Sequence, residues 1–487
     1  MSLPALSTYN WADKAFLNGW TTLQGGHLEV KEPASQTTLI RVASANPADI
    51  DNACSLARQA QTIWTALPYP ERAAIFRKAA SLLETNQESY AQWIIRETGG
   101  IAPKAMFEIN SVLHLLYEAA AMLTQPQGLV LPSQPGTNSL ARRVPHGVVG
   151  VISPFNFPFL LSSRAVLPAL ATGNAVVLKP DPRTPVSGGF ILAQLLSDAG
   201  LPKGVFNMLP GDAQAGEALV INPNVAMISF TGSTLAGRRI GELAGRHLKK
   251  VALELGGKNS LIILDDADLE LAVSGGAWAS WLHQGQICMS AGRHLIHKDI
   301  VDNYAKRMTE KANSLPVGDP ASGQIAIGPL ISRTQVERVH RLVQDSVAMG
   351  AQIMTGGFYK EQYYQPTVLK NVTPDMPVFK EEIFGPVVAI TSFETDEEAI
   401  KLANDTEYGL SAGIHTANIG RGIALANQLH VGLVHINDQT VNDDGTMPMG
   451  GRGASGNGSR HGGPANWDEF TQWQWMTIRN TAPVYPL

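Results

Sequence analysis

The sequence has very little cysteine. Only Cys54 and Cys288 occur among its 487 residues, so a disulfide framework is not expected and a reducing compartment, the cytoplasm, is predicted. The N-terminus lacks a basic start followed by an apolar run, and we expect no secretory signal peptide. The longest apolar stretch, residues 157–178, is interrupted by an arginine, a proline and an asparagine, which excludes it as a membrane span.

The sequence also lacks a surplus of positive charge. With 37 basic and 42 acidic residues its net charge is −5, so nucleic acid is not an expected partner. Hydrophobic residues make up 44% and charged residues 16% of the chain, which is typical of a soluble globular protein. The length predicts two or three domains rather than one core.

Residues 46–125 carry apolar side chains at helical spacing and predict a helical region. Cys54 lies within this pattern, so we expect it to be a small buried hydrophobe. Residues 126–146 are rich in Pro, Gly, Ser and Asn. We interpret them as an edge hairpin that leaves the first domain and returns to it.

Between residues 147 and 255, short apolar runs alternate with helical stretches. Continuous apolar strands joined by helices predict a parallel sheet covered on both faces, here a Rossmann-type domain that binds a dinucleotide at the carboxyl ends of its strands. This domain is predicted to comprise residues 1–125 and 147–255. The predicted strands are 147–152, 174–179, 204–209, 225–230 and 250–255, with helices near 159–171, 184–199, 213–221 and 234–247.

A second α/β series predicts a catalytic domain over residues 256–465, which includes a glycine-rich loop at 450–463. Residues 470–480 alternate like a strand and pair either with 126–146 or with another subunit. A small β oligomerisation element is therefore predicted from 126–146 and 466–487. The other predicted strands are 260–264, 387–393, 411–416 and 432–437, with helices near 268–281, 299–314, 333–348, 397–404 and 419–429.

Three polar residues are candidates for catalysis. Cys288 lies in HQGQICMSAGR (283–293) and is either a nucleophile beside a glycine that admits a ligand or an inert core cysteine. Glu254 ends a predicted strand ahead of two glycines and is either a general base or a residue of a surface turn. Asn156 lies in SPFNFP (153–158) and is either an oxyanion donor or a turn residue.

Two further segments resemble dinucleotide contacts. Lys179 ends the second predicted strand, where it either extends to solvent or donates to a ribose or phosphate. FTGSTLAG (230–237) joins a strand to a helix, whose N-terminus is a natural pyrophosphate site. The literal GxGxxG of this chain, at Gly451, Gly453 and Gly456, follows no predicted strand and opens no predicted helix, so we reject it as a fingerprint.

Taken together, these motifs resemble the aldehyde dehydrogenase superfamily over essentially the whole chain. The resemblance rests on SPFNFP, LKP, FTGSTLAG, ELGGK, GQICMSAGR, EEIFGP (381–386), NDTEYGL (404–410) and MPMGG (447–451), in the order of that family. The 34-residue separation of Glu254 and Cys288 is also that of the family. The resemblance implies an α/β fold with a cofactor domain, a catalytic domain and a β oligomerisation element.

The resemblance assigns roles by position. It implies that Cys288 is the nucleophile, Glu254 the base and Asn156 an oxyanion donor working with the backbone N–H of Cys288. It implies that Lys179 holds the adenosine ribose. The other implied cofactor contacts are Ser233 at the pyrophosphate, Glu382 and Phe384 at the nicotinamide and its ribose, and Ile152, Pro154, Phe155, Gly232 and Gly237.

The cofactor preference departs from the usual pattern. Family members that prefer NAD usually carry Glu three residues after the lysine, where this chain has Pro182. Asp181 lies one residue earlier and can bind a ribose hydroxyl, whereas Arg183 lies one residue later and favours a 2′-phosphate. We predict NAD, with NADP possible.

The chain looks closest to bacterial benzaldehyde dehydrogenases, through RVPHGVVGVISPFNFP, WLHQGQICMSAGRH, HINDQ (435–439) and SRHGGPANWDEFTQ (459–472). This implies an aromatic aldehyde as substrate. Arg164 is unexpected in such a site and either stacks on an aromatic ring or faces the surface. A flat apolar pocket is predicted from Phe157, Leu161, Ile287, Met289 and Met449.

The predicted reaction is the oxidation of an aldehyde to its acid through a thioester on Cys288, which water hydrolyses with Glu254 as base. The alternatives are a CoA-acylating aldehyde dehydrogenase, a cysteine hydrolase that uses His283 or His294, and a non-catalytic protein on the same fold. No metal is expected because the histidines form no ligand set. The resemblance also implies a homodimer or homotetramer.

Overall fold

The computed structural model describes residues 10–486. Strands make up three main sheets and three two-stranded ribbons. In chain order they are β1 (Ala15–Phe16), β2 (Trp20–Thr21), β3 (His27–Lys31), β4 (Thr38–Ala43), β5 (Gly128–Leu131), β6 (Thr137–Pro145), β7 (Val148–Ile152), β8 (Ala175–Lys179), β9 (Phe206–Met208), β10 (Met227–Thr231), β11 (Lys250–Glu254), β12 (Asn259–Ile263), β13 (Ala291–His297), β14 (Gln352–Thr355), β15 (Tyr359–Lys360), β16 (Tyr363–Tyr364), β17 (Thr367–Lys370), β18 (Val387–Phe393), β19 (Tyr408–Gly409), β20 (Ser411–His415), β21 (Leu433–Ile436), β22 (Arg452–Gly453) and β23 (Thr471–Arg479).

Helices cover the faces of the two large sheets and form the N-terminal region. They are α1 (Pro47–Ala66), α2 (Tyr69–Thr85), α3 (Gln87–Thr98), α4 (Ala102–Met122), α5 (Pro158–Ala171), α6 (Ile191–Ala199), α7 (Ala213–Ile221), α8 (Thr234–Arg246), α9 (Leu269–Trp281), α10 (Val301–Ser314), α11 (Arg333–Ala348), α12 (Pro377–Lys380), α13 (Asp396–Asn404), α14 (Ile419–Ala426) and α15 (Ala465–Phe470). A π-helical turn, Val186–Phe190, leads into α6, and a 3₁₀ turn, Leu282–Gly285, follows α9.

The first large sheet has the strand order β11-β10-β7-β8-β9-β1-β2. Its five longer strands run parallel, with crossovers through α5, α6, α7 and α8. The order reverses beside β7, which continues to β8 on one side and has β10 on the other. Such a switch point is where doubly wound sheets bind ligands. All five predicted strands of this sheet are present, and the third is shorter than predicted.

The second large sheet has the order β14-β17-β18-β13-β12-β20-β21. The four predicted strands are present as β12, β18, β20 and β21. The central strand β13 was not predicted, because its sequence AGRHLIH carries an arginine and two histidines among few apolar residues. The arginine and both histidines are nevertheless buried there, because each has hydrogen-bond partners inside the protein.

The third sheet joins the two segments predicted to form the small β element. β23 pairs antiparallel with β6 over nine residues, from Thr471 opposite Pro145 to Arg479 opposite Thr137, and β5 pairs with the other side of β6. Of the two pairings considered for residues 470–480, the structure therefore has the one with 126–146. Among residues 10–486 no helix combines the length and apolar character needed to cross a bilayer.

Candidate active site

The carboxyl ends of four neighbouring strands meet at one edge of the first sheet. Ile152, Lys179, Thr231 and Glu254 are the last residues of β7, β8, β10 and β11; Ile152 pairs with Lys179, and Thr231 pairs with Glu254. We call these four residues the carboxyl edge. The N–H of Gly232 donates to the carbonyl of Glu254 at 3.0 Å, so the turn that opens α8 lies directly beside the turn that follows Glu254.

Cys288 lies in a tight segment between α9 and β13. His283 and Gln284 both have positive φ, 50° and 57°, a conformation that non-glycine residues adopt at a cost in energy. Asn259 Nδ2 donates to the carbonyl of Cys288 at 2.8 Å, and Thr440 Oγ1 donates to that of Met289 at 2.7 Å. Two side chains from distant parts of the chain thus fix the backbone that follows the thiol.

Gly257 explains why the turn after Glu254 needs glycine. A Cβ at this position would lie 2.3 Å from the carbonyl oxygen of Cys288, closer than any real contact. The N–H of Gly257 also donates to Glu382 Oε1 at 3.0 Å. The turn therefore brings Glu254, Cys288 and Glu382 together through direct backbone contact.

Asn156 ends the loop before α5, and its side chain is buried. Its Nδ2 donates to the carbonyl of Gln286 at 3.0 Å, which aims the amide at the Cys288 segment and leaves its second N–H for another acceptor. Glu108 holds the start of α5, because its Oε2 accepts the backbone N–H groups of Phe159 and Leu160 at 3.0 and 3.1 Å.

Glu254 is buried, and neither of its carboxylate oxygens has a hydrogen-bond partner among the described residues. Burial raises its pKa to about 8, against the opposing effects of Arg164 and Arg460. The rejected GxGxxG loop packs on this residue: Gly456 forms a β-bridge with Glu254. The sequence offered no means of predicting this contact, since the loop lies about 200 residues further along the chain.

Burial also raises the pKa of the Cys288 thiol well above its usual value, and the carboxylates of Glu382 and Glu254 act in the same direction. A thiol with a raised pKa has to lose its proton as it attacks, so its reaction as a nucleophile requires a proton acceptor. Glu382 is itself buried, and burial raises its pKa to about 6.

A cavity of about 270 Å³ opens in front of Cys288 and Asn156. Its other walls come from α4, α5, α9 and the loop that contains Val441 and Asp443. Four polar residues line it: Asn156, Cys288, Lys104 and Asp443. The five residues predicted to form an apolar pocket all lie on its wall: Phe157, Leu161, Ile287, Met289 and Met449.

Arg164 occupies neither of the two positions expected for it. It is buried on α5 and forms a bidentate ion pair with Asp443, at 2.5 Å from Nη1 to Oδ2 and 2.6 Å from Nη2 to Oδ1. Burial alone would lower the pKa of Arg164, but Asp443 more than offsets this effect and the pKa is raised. No motif or spacing pointed to this partner, which lies 279 residues away.

A second buried ion pair lies beside Phe157. Lys104 Nζ lies 2.5 Å from Glu108 Oε1, and both side chains are fully buried. The same ammonium group lies 4.6 Å from the centroid of the Phe157 ring, a cation–π distance. This pair, like the first, went unpredicted from the sequence.

The predicted nicotinamide-side residues form a compact group. The Phe155 and Phe384 rings meet edge to face at 5.8 Å, and the Arg183 guanidinium lies 4.2 Å from the centroid of the Phe155 ring. Phe384 has φ of 55°, so its position is held by its surroundings. Pro154 shares the loop of Phe155, while Glu382 contacts the turn after Glu254.

Lys179 fits a role in holding a polar ligand. Its ammonium group is buried and makes a single hydrogen bond within residues 10–486, to the carbonyl of Pro180 at 3.3 Å, so most of its donor capacity is unused. Its methylene chain lies against Gly216. Asp181 and Arg183, the neighbours that left the cofactor preference open, form an ion pair with each other at 2.7 Å.

The FTGSTLAG segment opens α8 as predicted. Ser233 is the N-cap, and its Oγ accepts the N–H of Ala236 at 3.4 Å. A Cβ on Gly232 would lie 2.6 Å from the Phe230 ring, and one on Gly237 would lie 2.2 Å from Leu255. Gly237 thus lets the helix approach the sheet, which is a packing position rather than a direct opening to a ligand.

The histidines do not support hydrolase chemistry. His294 hydrogen-bonds Ser280 and Tyr304, at 2.7 and 2.8 Å. The buried His283 ring packs edge to face on Phe157 at 5.5 Å. No histidine within the described range 10–486 hydrogen-bonds Cys288, and the same range contains no group of His, Cys, Asp and Glu arranged to hold a metal ion.

Residues 20–476 match the sequence profile of the aldehyde dehydrogenase family. The chain belongs to the aldehyde dehydrogenase family. It is 51% identical to the benzaldehyde dehydrogenase [NAD(+)] of Pseudomonas putida, with 98% of each chain covered. It is 49% identical to a vanillin dehydrogenase of an Amycolatopsis species, with 99% of each covered.

The solved structures agree on the fold. The NAD⁺ complex of an aldehyde dehydrogenase from Bacillus cereus superposes with a TM-score of 0.93 at 35% identity, covering 97% of both chains. The α/β aldehyde dehydrogenase fold predicted from the motifs is therefore confirmed, as is the resemblance to bacterial benzaldehyde dehydrogenases. The chain is an enzyme of the aldehyde dehydrogenase type.

Proposed function

We propose that this enzyme oxidises aromatic aldehydes to carboxylic acids with NAD(P), through a thioester on Cys288. The observation that carries the proposal is the cavity of about 270 Å³ whose walls are aromatic and aliphatic and which contains both Cys288 and Asn156. A planar ring fits walls of this kind, and its aldehyde carbon then faces the thiol. Relatives that act on benzaldehyde and vanillin support the same substrate class.

The first step is attack of sulfur on the aldehyde carbon. Because burial raises the pKa of the thiol, its proton must pass to solvent water as the carbon–sulfur bond forms, so that Glu254 is still ionised for the later hydrolysis. The aldehyde oxygen becomes an oxyanion, which the free N–H of Asn156 and the backbone N–H of Cys288 stabilise. One such donor contributes about 3 kcal/mol to the transition state.

The residues of the carboxyl edge and the Phe155–Phe384 group fit a dinucleotide. Lys179 has unused donors for ribose hydroxyls, the N-terminus of α8 at Ser233 favours a pyrophosphate, and the Glu382 carboxylate accepts from a ribose hydroxyl. Ile152, Pro154 and Gly232 line the same edge. Held by these residues, NAD(P) would supply the hydride acceptor that oxidation of the aldehyde needs.

Release of the acid needs a base for water. Glu254, with a pKa of about 8, takes a proton from water as its oxygen attacks the thioester carbon. The carbon–sulfur bond then breaks, and the Cys288 thiolate takes the proton that Glu254 gained from water, which restores both groups. A carboxylate positioned for this step distinguishes the proposed reaction from transfer of the acyl group to CoA.

The cofactor is proposed to be NAD in preference to NADP. Arg183 is the residue that would attract a 2′-phosphate, but its guanidinium is paired with Asp181 through Nε at 2.8 Å and Nη2 at 2.7 Å. The Asp181 carboxylate at the same place repels a phosphate. NADP is expected to be used more slowly rather than excluded.

The same boundaries are proposed for the domains as were predicted: 1–125 with 147–255, 256–465, and 126–146 with 466–487. We propose that the third sheet joins subunits in a homodimer or homotetramer. It presents Val130, Trp473 and Trp475, which are 84%, 52% and 72% exposed, and such apolar exposure marks an interface. Gel filtration giving a monomer would contradict this.

The cytoplasm remains the proposed location because of the scarce cysteines.

The deciding experiment is an absorbance assay at 340 nm with benzaldehyde and either NAD or NADP. Cys288→Ala is the matched control, and identification of benzoic acid by chromatography excludes other products. We expect reduced cofactor only with intact Cys288 and a faster rate with NAD. Turnover that persists in Cys288→Ala, or the absence of turnover with any aromatic aldehyde, would refute the proposal.

A further inference from the structure

The apolar cavity contains two charged side chains besides its reactive end. Lys104 comes from α4 and Asp443 from the loop after β21, and each belongs to a buried ion pair. Charged groups on such a wall cost free energy unless their hydrogen bonds are satisfied. The two pairs differ in how fully they are satisfied.

Lys104 is saturated. An ammonium group has three N–H donors. Here the group contacts Glu108 Oε1 at 2.5 Å, Thr98 Oγ1 at 3.4 Å and the face of the Phe157 ring at 4.6 Å. No donor is left for a molecule in the cavity, so we assign Lys104 to holding Phe157.

Asp443 is only half satisfied. A carboxylate accepts about four hydrogen bonds, two at each oxygen. Arg164 donates one to Oδ1 and one to Oδ2. No other donor among residues 10–486 reaches either oxygen. Each oxygen therefore keeps one accepting direction, and the residue lies on the cavity wall beside Cys288 and Asn156.

Arg164 fixes the direction of that carboxylate. It lies one turn after Leu160 and Leu161 on α5, on the helix face that lines the cavity. Its Nη2 also donates to the carbonyl of Asp444 at 3.1 Å, which ties the loop to the helix. A carboxylate held in this way is a rigid acceptor that cannot turn away from a bound ring.

We infer that Asp443 determines substrate specificity by accepting a hydrogen bond from a hydroxyl group on the aromatic ring. An acceptor without a hydrogen of its own distinguishes a hydroxyl from a methoxyl or a fluorine, and its negative charge disfavours ring carboxylates. Arg164 is a positioning residue in this arrangement. The inference rests on the proposed function, because it places an aromatic aldehyde in the cavity.

The test compares each hydroxybenzaldehyde isomer with the methoxybenzaldehyde of the same substitution, below the pKa of the phenol. Both substituents donate electrons to the ring, so the ratio of their kcat/KM values reports mainly on binding at the substituent. In the wild type we expect at least one isomer to show a ratio of about tenfold or more, the size of a hydrogen bond to a charged acceptor. A ratio near one at all three positions would overturn the inference.

Three variants assign the effect. Asp443→Asn, and the double change Arg164→Met with Asp443→Leu, are expected to reduce the ratio to about one to threefold. The double change leaves no unpaired buried charge. Arg164→Lys keeps the carboxylate and a cation, and is expected to keep most of the ratio even if kcat falls. If the ratio of kcat/KM values stayed unchanged in both Asp443 variants, the ion pair would have only a structural role and the inference would be refuted.

A binding measurement separates this inference from the proposed function. In Cys288→Ala, calorimetric titration gives the Kd of each aldehyde without turnover. A preference for the hydroxyl that Asp443→Asn removes supports the inference even if no aldehyde is oxidised, in which case only the proposed function fails. Turnover of benzaldehyde with no such preference, in either Kd or kcat/KM, contradicts the inference alone.

Discussion

The carboxyl edge and the apolar cavity meet at Cys288 but are built differently. The edge consists of the last residues of neighbouring strands, of which Lys179, Thr231 and Glu254 are polar, so most of its members follow from a local pattern of apolar runs that end in a polar residue. The cavity takes its walls from α4, α5, α9 and a loop near residue 443. Its charged residues depend on partners such as Arg164 and Asp443, 279 residues apart.

The two regions have different roles: the edge contains groups that react, whereas the cavity selects the substrate. At the edge, Glu254 and Lys179 are left without full partners, as expected of groups that act on a ligand. At the cavity the charged side chains form ion pairs that hold the walls in place. The common fold therefore fixes the reaction, whereas the pairs behind the wall adapt the shape and polarity of the cavity.

Removal of the base is expected to have the largest effect at the edge. Glu254→Gln should slow acid release by about 10²- to 10⁴-fold, because nothing then takes the proton from water. Rapid-mixing experiments should show a burst of reduced cofactor followed by an almost flat phase as thioester accumulates. A variant without a burst, but with equally slow formation of reduced cofactor, would show that Glu254 acts mainly in the first step.

The rate of acid release is expected to depend on pH through Glu254. A base works only when ionised, and the pKa of Glu254 is about 8. In the wild type the rate of acid release should therefore rise with pH and level off above about pH 8, falling about tenfold per pH unit well below that value. Glu254→Gln should lose this rise. A wild-type rate that is independent of pH between 6 and 8 would contradict the assignment.

In the cavity the largest effect is expected on stability. Glu108→Ala leaves the fully buried Lys104 ammonium without its partner and removes the acceptor at the start of α5. We expect a loss of about 3–5 kcal/mol in the free energy of unfolding, measured in urea. The double change Lys104→Met with Glu108→Leu should cost less, because it leaves no unpaired charge. If Glu108→Ala cost less than the double change, the pair would not carry this stability.

The turn at Gly257 joins the two regions. Gly257→Ala places a methyl group where the carbonyl of Cys288 lies 2.3 Å away, so the thiol must shift. A displacement of this kind is expected to reduce kcat/KM by about 100-fold. Gly245→Ala is the matched control, since Gly245 is an exposed residue of α8 and a Cβ there meets nothing within 4 Å. Equal activities of the two variants would mean that the segment adjusts without loss.

The sequence allowed the fold and most of the edge to be predicted, because buried parallel strands are continuous apolar runs and their ends are marked by polar or glycine residues. β13 escaped prediction since Arg293 and His294 are buried there by long-range partners: Arg293 donates to the carbonyls of Leu402 and Ala403. Arg164 escaped for the same reason. Burial of a charge depends on tertiary contacts, which periodicity along the chain does not contain.

The smallest expected effect concerns the cofactor end of the edge. Asp181→Asn frees the Arg183 guanidinium and removes a negative charge from the place where a 2′-phosphate would lie. Because Arg183 is 44% exposed, the gain is limited by solvent to about 1 kcal/mol or less, so the ratio of kcat/KM with NADP to that with NAD should rise by up to about fivefold. Asp198→Asn, near the far end of α6, removes an acid of the same kind and should leave the ratio unchanged. A rise of this ratio in both variants would indicate a general effect of net charge. A rise in Asp181→Asn alone, which the additional change Arg183→Gln abolishes, would assign the cofactor preference to this ion pair.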